Sequence, residues 1–201
     1  GKSTSGLYTV PSLGIDPATG KEIFLKKDGS KTFVWDPEDK IYIGETTPKW
    51  TGAINSSFYY KGWSVALGFT YNLGEKYYNQ TLVDKIENSN IAFNMDKRAL
   101  SYRWSEDNRN AKYKAISDRS AGTNQSTRFV QDRNYLTFNS ITAGYRFDQS
   151  QFKFLRACRV SSFDVNLTLN DIAVLSTIKT ERGLDYPYAR TFNLSLSFVF
   201  N

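Results

Sequence analysis

Aromatic side chains set among charged and hydrogen-bonding neighbours are the first candidates for chemistry in this chain. Trp35, Tyr77, Tyr78, Trp104 and Tyr113 all stand in polar stretches. Aromatic faces beside hydrogen-bonding groups suit the recognition of sugars or peptides. The same residues can instead brace loops against each other or against a partner protein, and both readings remain open at this level.

Catalytic chemistry has much less to work with. Histidine is absent and Cys158 is the sole cysteine, which removes an intrachain disulfide, a Cys/His zinc site and any triad built on imidazole. Asp36, Glu38 and Asp39 cluster as the paired acids of a glycoside hydrolase would, at about 5 to 9.5 Å. They fall in a Pro-containing turn, and solvated turn chemistry is the stronger account. Lys2-Ser3-Thr4 echoes the end of a phosphate-binding loop but lacks its upstream glycine and strand. Asn79-Gln80-Thr81 and Asn124-Gln125-Ser126 match a glycosylation triplet that arises often by chance. The expectation is a protein that is not an enzyme and uses no cofactor or metal. The net charge of +6 is mild, and cations interleave with carboxylates as in Asp96-Lys97-Arg98. A nucleic-acid binder would concentrate them on one face, so no nucleic-acid partner is expected.

The elements that must position these residues are strands. Phe192 to Phe200 has a period of two, with apolar residues on one face and aromatics at both ends. Trp50 to Tyr60 and Trp63 to Leu73 alternate in the same way around Lys61-Gly62, whose glycine suits a two-residue hairpin. Tyr135 to Phe147 carries Ile141, Ala143, Tyr145 and Phe147 on one face, although Leu136 and Phe138 blur its upper part. Ser161 to Asn170 sets Phe163, Val165, Leu167 and Leu169 against Asp164, Asn166 and Thr168. A strand of about 11 residues tilted by about 45° covers about 26 Å, which matches the apolar band of an outer-membrane barrel. Soluble strands run nearer 5 to 6 residues. No window approaches the roughly 20 apolar residues of a transmembrane helix.

Connection lengths agree. Lys61-Gly62 and Asp148 to Ala157 are short, whereas Gly74 to Asn134 and Asp171 to Arg190 are long, and the two kinds alternate. Outer-membrane barrels pair short periplasmic turns with long extracellular loops. With residues 1–49 outside, the strands run down, up, down, up, down, and the C-terminus falls in the periplasm. Residues 1–49 are then an extracellular loop region, with a small hairpin at Lys27-Asp28-Gly29-Ser30 between Ile23-Phe24-Leu25 and Thr32-Phe33-Val34-Trp35. Residues 50–201 hold the barrel strands and their loops, with a short helix expected around Gln80 to Glu87. Five strands cannot close such a barrel, and an open sheet in lipid leaves unpaired N–H and C=O groups at several kcal/mol each. The first and last strands are therefore expected to pair with another polypeptide.

Six stretches also carry a resemblance. Leu13 to Glu22 (LGIDPATGKE), Gly44 to Gly52 (GETTPKWTG), Tyr60-Lys61-Gly62-Trp63, Tyr78-Asn79-Gln80-Thr81, Arg128-Phe129-Val130-Gln131-Asp132 and Glu181 to Pro187 (ERGLDYP) occur in this order. Together they resemble the C-terminal barrel part of SusC/RagA-type TonB-dependent transporters of the bacterial outer membrane. The fold implied is all-β, part of a transmembrane antiparallel β-barrel of about 22 strands, with long extracellular loops. The partners implied are the remaining barrel and plug, a SusD-like lipoprotein lid, TonB through the plug, and outer-membrane lipid. The function implied is import of oligosaccharides or peptides. The residues expected to touch substrate or lid are Trp35, Tyr77, Tyr78, Trp104, Tyr113 and Arg128, with Asn55, Asp164 and Asn166 facing the lumen. A soluble β-sandwich carbohydrate-binding module and a passive porin are the competing readings.

Overall fold

The computed structural model describes residues 3–90, 92–118, 122–179 and 190–200. The chain divides into two units, one of Gly1–Pro48 with Gly74–Arg133 and one of Lys49–Leu73 with Asn134–Asn201.

The second unit is built on a meander. The strands are β6 (Trp50–Tyr60), β7 (Trp63–Tyr78), β8 (Val130–Asp148), β9 (Val160–Ser176) and β10 (Thr191–Phe200). Among the described residues they form a five-stranded antiparallel sheet in the order β10-β9-β8-β7-β6. Lys61 and Gly62 turn β6 into β7 with φ of 45° and 86°, the left-handed pair that a two-residue hairpin requires.

Strand β6 has the bounds its alternation predicts, but its neighbours run further than expected. β7 continues past Leu73 to Tyr78, β8 begins at Val130 rather than Tyr135, and β9 passes Asn170 to reach Ser176. The long connections shorten accordingly, to residues 79–129 and 177–190. Backbone pairing causes the extension of β9, since Tyr135 to Phe138 pair with Ser176 to Ala173 regardless of side-chain pattern. The blurred alternation of β8 also has a cause. Phe138 pairs with Ala173 and Ser140 with Asn170, which leaves Asn139 opposite a bulge at Asp171 and Ile172, with Asp171 at φ 55°. Phe138 then stacks on Phe69 at 4.5 Å, while Asn139 hydrogen-bonds Thr70 on the other face. The bulge re-aims the side chains as such insertions do. Residues 180–189, including the Glu181 to Pro187 stretch, and Asn201 lie outside the described residues.

Register places the apolar residues of all five strands on one face. Ile54 faces Phe69, Phe58 faces Val65, Ile141 faces Leu169, and Leu167 faces Leu194. That face is not covered: Phe58 is 60% exposed and Leu194 65%. At the Lys61-Gly62 end it closes in a row of rings. Trp63 meets Tyr145 at 4.9 Å, Phe147 meets Phe163 at 5.6 Å, and Phe163 meets Phe198 at 4.4 Å. The opposite face carries Thr142 bonded to Thr168 and Arg146 paired with Asp164.

The first unit is irregular and polar. β1 (Gly6–Thr9) pairs with β5 (Ile41–Glu45), and β2 (Ser12–Ile15), β3 (Glu22–Leu25) and β4 (Lys31–Thr32) form a second small sheet. The expected Asp28-Gly29 hairpin is present, but its second arm ends at Thr32. There the Thr32 hydroxyl accepts a hydrogen bond from the Val34 N–H and turns the chain. Helix α1 (Gln80–Leu82) runs directly into a π-helical turn at Val83–Glu87, as the short helix around Gln80 to Glu87 predicts. Its Asn79 side chain caps the Leu82 N–H. Val83, Ile86, Ala99, Tyr113 and Phe129 form the core, with Ala99 on the short helix α2 (Arg98–Ser101).

Candidate functional site

Three of the six residues expected to touch substrate or lid come together around Phe129. Tyr78 and Tyr113 lie 6.2 and 6.5 Å from its ring centroid, and the Arg128 guanidinium covers its face at 4.4 Å. The other three stand apart. Trp35 donates its indole N–H to the Gln125 carbonyl, and Trp104 donates its own to the Pro17 carbonyl. Tyr77 lies under the Arg133 guanidinium, which in turn pairs with Glu75.

Arg128 is the centre of a buried ionic network. Its Nη1 and Nη2 atoms grip the Glu87 carboxylate at 3.2 and 2.5 Å, and Nη2 also reaches Glu22 at 2.9 Å. Ser126 donates to the other Glu22 oxygen at 2.6 Å. Burial pulls the Arg128 pKa down, but the hydrogen bond and charge of Glu87, then Glu22, outweigh it and hold the guanidinium protonated. A second buried arginine, Arg103, binds the backbone beside Glu87. Arg103 donates to the Ile86 and Glu87 carbonyls at 2.6 and 2.9 Å, satisfying the C-terminal carbonyls of the π-helical turn. Four segments distant in sequence are thereby joined. Arg128 lines an open cavity of about 330 Å³ between Ile15, Leu82, Tyr113 and Gln131.

Tyr113 shares that interior. Burial pushes its phenol above the ordinary 10.0, so the fold holds the neutral form. Its contribution to stability is whole below pH 10 and is lost as the pH rises through the raised value. Tyr113→Phe is expected to stay folded to higher pH than the wild type in an alkaline titration followed by near-ultraviolet circular dichroism. Identical midpoints would refute this.

The Asp16 to Gly20 turn explains why Trp104 sits where it does. Asp16 accepts from the Ala18 N–H and the Thr19 hydroxyl, and the Thr19 bond, followed by that from Ala18, holds the Asp16 carboxyl below its usual value. Gly20 adopts φ +70°, and a Cβ there would lie 2.6 Å from the Trp104 ring and 2.8 Å from Ala115 Cβ. Gly20→Ala is expected to destabilise this unit by about 1 to 3 kcal/mol through clash and strain. Gly29 has φ +83° with open space around it, so Gly29→Ala should show the strain alone, at about 1 kcal/mol. Chemical denaturation of the two variants side by side checks the difference.

On the polar face of the meander, Asp164 and Asn166 line a cavity of about 560 Å³ with Tyr59, Ser64, Arg146 and Ser197. Arg146 Nε donates to Asp164 at 2.7 Å. Asn55 is further along the same face, opposite Gly68, where a Cβ would crowd Ser140 and Asn55. Arg146 was legible as a polar-face residue of its strand, although counting outward from Phe147 and Ser161 sets it opposite Ser162, whereas the observed register pairs it with Asp164. Glu22 and Glu87 were not legible as partners of Arg128, since 106 and 41 residues separate them from it. Among the described residues, no group of three His, Cys, Asp or Glu side chains is placed to hold a metal. No helix there is long and apolar enough to cross a membrane.

No family model matches the chain, and no curated protein does. Solved structures do match. "Structure of the RagAB peptide transporter" aligns at a TM-score of 0.70 and 21% identity over 87% of this chain. The RagAB peptide importer in its "open-open" state aligns at 0.72 and 20% over 88%, and in its "closed-closed" state at 0.69 and 21% over 86%. The chain spans 20% of the length of each. Over the aligned residues the chain thus shares the fold of a part of these β-barrel structures.

Proposed function

We propose that this chain is the C-terminal part of the barrel of a SusC/RagA-type TonB-dependent transporter in the bacterial outer membrane. Its work is solute uptake. The observation that carries this reading is the meander itself, with one continuous apolar and exposed face, one polar face, and two outer strands, β6 and β10, that have no further neighbour among the described residues. Lipid accounts for the first face and a water-filled lumen for the second. The rest of the barrel accounts for the open edges, because unpaired backbone groups are not tolerated in hydrocarbon. A soluble sandwich would bury Trp63, which is 57% exposed, and its row of apolar neighbours under a second sheet.

In this reading residues 1–49 and the β7–β8 connection face outward, and the C-terminus faces the periplasm. Asn55, Asp164 and Asn166 line the lumen. Trp35, Tyr77 and Trp104 are the candidate outer contacts to substrate or a SusD-like lipoprotein. Tyr78, Tyr113 and Arg128 hold the loop unit in shape behind them. The matched structures are of a peptide importer, which favours peptide over oligosaccharide as cargo. The test is uptake of labelled oligopeptides and oligosaccharides by cells whose transporter has or lacks β10. Peptide uptake that depends on β10 and on the proton gradient supports the proposal. A chain recovered as a soluble monomer without detergent refutes it, and gradient-independent passage would indicate a porin.

A further inference from the structure

We infer that the β8–β9 connection is an interfacial binding site for the phosphate headgroups of anionic phospholipids. The inference rests on the membrane reading above and adds a ligand and a place to it. The connection contains helix α3 (Lys153–Ala157), and its packing decides which side of the sheet it occupies. Phe152 meets Tyr145 at 6.3 Å and Phe147 at 5.0 Å, both on the apolar face, and Leu155 is buried. The helix therefore lies on the lipid side of the sheet end rather than beneath the lumen. Phe154 stands edge-on to Phe152 at 6.2 Å and remains 58% exposed.

Cations surround this exposed ring. Lys153, Arg156 and Arg159 are all exposed, and residues 149–161 contain no carboxylate. Exposed Lys61 extends the patch from the β6–β7 turn, which is tied to the same sheet end by the Arg146 N–H donating to the Gly62 carbonyl at 2.8 Å. Arg159 occupies φ 53°, just beyond the helix, where glycine is the usual residue.

The row of rings from Trp63 through Tyr145, Phe147 and Phe163 to Phe198 marks the level at which the apolar face ends. At that level a bilayer offers acyl chain to one side and phosphate to the other. An exposed aromatic flanked by long cationic side chains matches both, the ring entering the acyl boundary and the cations reaching the phosphates. The short connections face the periplasmic leaflet in the proposed orientation, so glycerophospholipid is the occupant.

The test uses the complete transporter, delipidated in mild detergent and offered equal amounts of phosphatidylglycerol and phosphatidylcholine. Bound lipid is counted by native mass spectrometry. The wild type is expected to retain phosphatidylglycerol preferentially. Combining Lys153→Gln, Arg156→Gln and Arg159→Gln should reduce that preference by about fivefold per cation at low salt, on the order of a hundredfold together. The charge-preserving set Lys153→Arg, Arg156→Lys and Arg159→Lys should keep it, which separates charge from folding. Equal retention of the two lipids by the wild type, or an unchanged preference in the glutamine variant, would each overturn the inference. A wild-type protein that is soluble without detergent and retains neither lipid would overturn the membrane reading itself.

Discussion

Replacing Arg128 with alanine is expected to destabilise the loop unit by about 3 to 5 kcal/mol, the usual result of removing one partner from a buried ion pair. Glu22 and Glu87 are both buried, and Arg128 supplies three of their hydrogen bonds. Without it, two carboxylates face each other in a low-dielectric interior. The Phe129 ring loses its covering cation, and the Lys112 carbonyl loses its donor at 2.9 Å. Glu22→Gln and Glu87→Gln, added to Arg128→Ala, should recover much of the loss, because the uncompensated charge and not the missing contact dominates the cost. Limited proteolysis of residues 79–129 and denaturant midpoints of the three proteins report the outcome. A single Arg128→Ala variant as stable as the wild type would mean the network is solvated and not a structural brace.

The second large effect concerns the apolar face. Leu194→Arg puts a cation near the middle of β10 on the exposed apolar side, opposite Leu167. In a bilayer this should cost about 2 to 4 kcal/mol. Ser195→Arg, one residue along, points to the polar face opposite Asn166 and should cost less than about 1 kcal/mol. The comparison holds strand, neighbours and residue type constant and changes only the face. Heat-modifiable migration and unfolding in lipid vesicles measure it. Equal effects at the two positions would remove the distinction between lipid and lumen on which the proposed function stands.

Strand periodicity was the most legible part of this chain. Trp50 to Tyr60 has its observed bounds, the Lys61-Gly62 turn is where glycine requires it, and Ile54, Val65, Leu167 and Leu194 share the face that alternation assigns them. These features depend on neighbours one or two residues away. The extended ends of β7, β8 and β9 did not show, and for β9 the reason is that backbone pairing continues past the bulge at Asp171. The aromatic and cationic candidates in the loops were the least legible. Trp35, Trp104 and Tyr113 look alike in sequence, yet Tyr113 is buried while the two tryptophans lie nearer the surface and bond distant carbonyls.

Residue order alone therefore determined which strand faces are apolar and where the tight turn falls, since the period of two is a local property of a pleated chain. Only the folded chain decided that Arg128 braces Glu22 and Glu87, that Trp104 fills the space over Gly20, and that the β8–β9 connection lies on the apolar side of its sheet. Each of these joins residues far apart in sequence, and no local pattern specifies a contact whose partners meet only after the chain has closed a long loop.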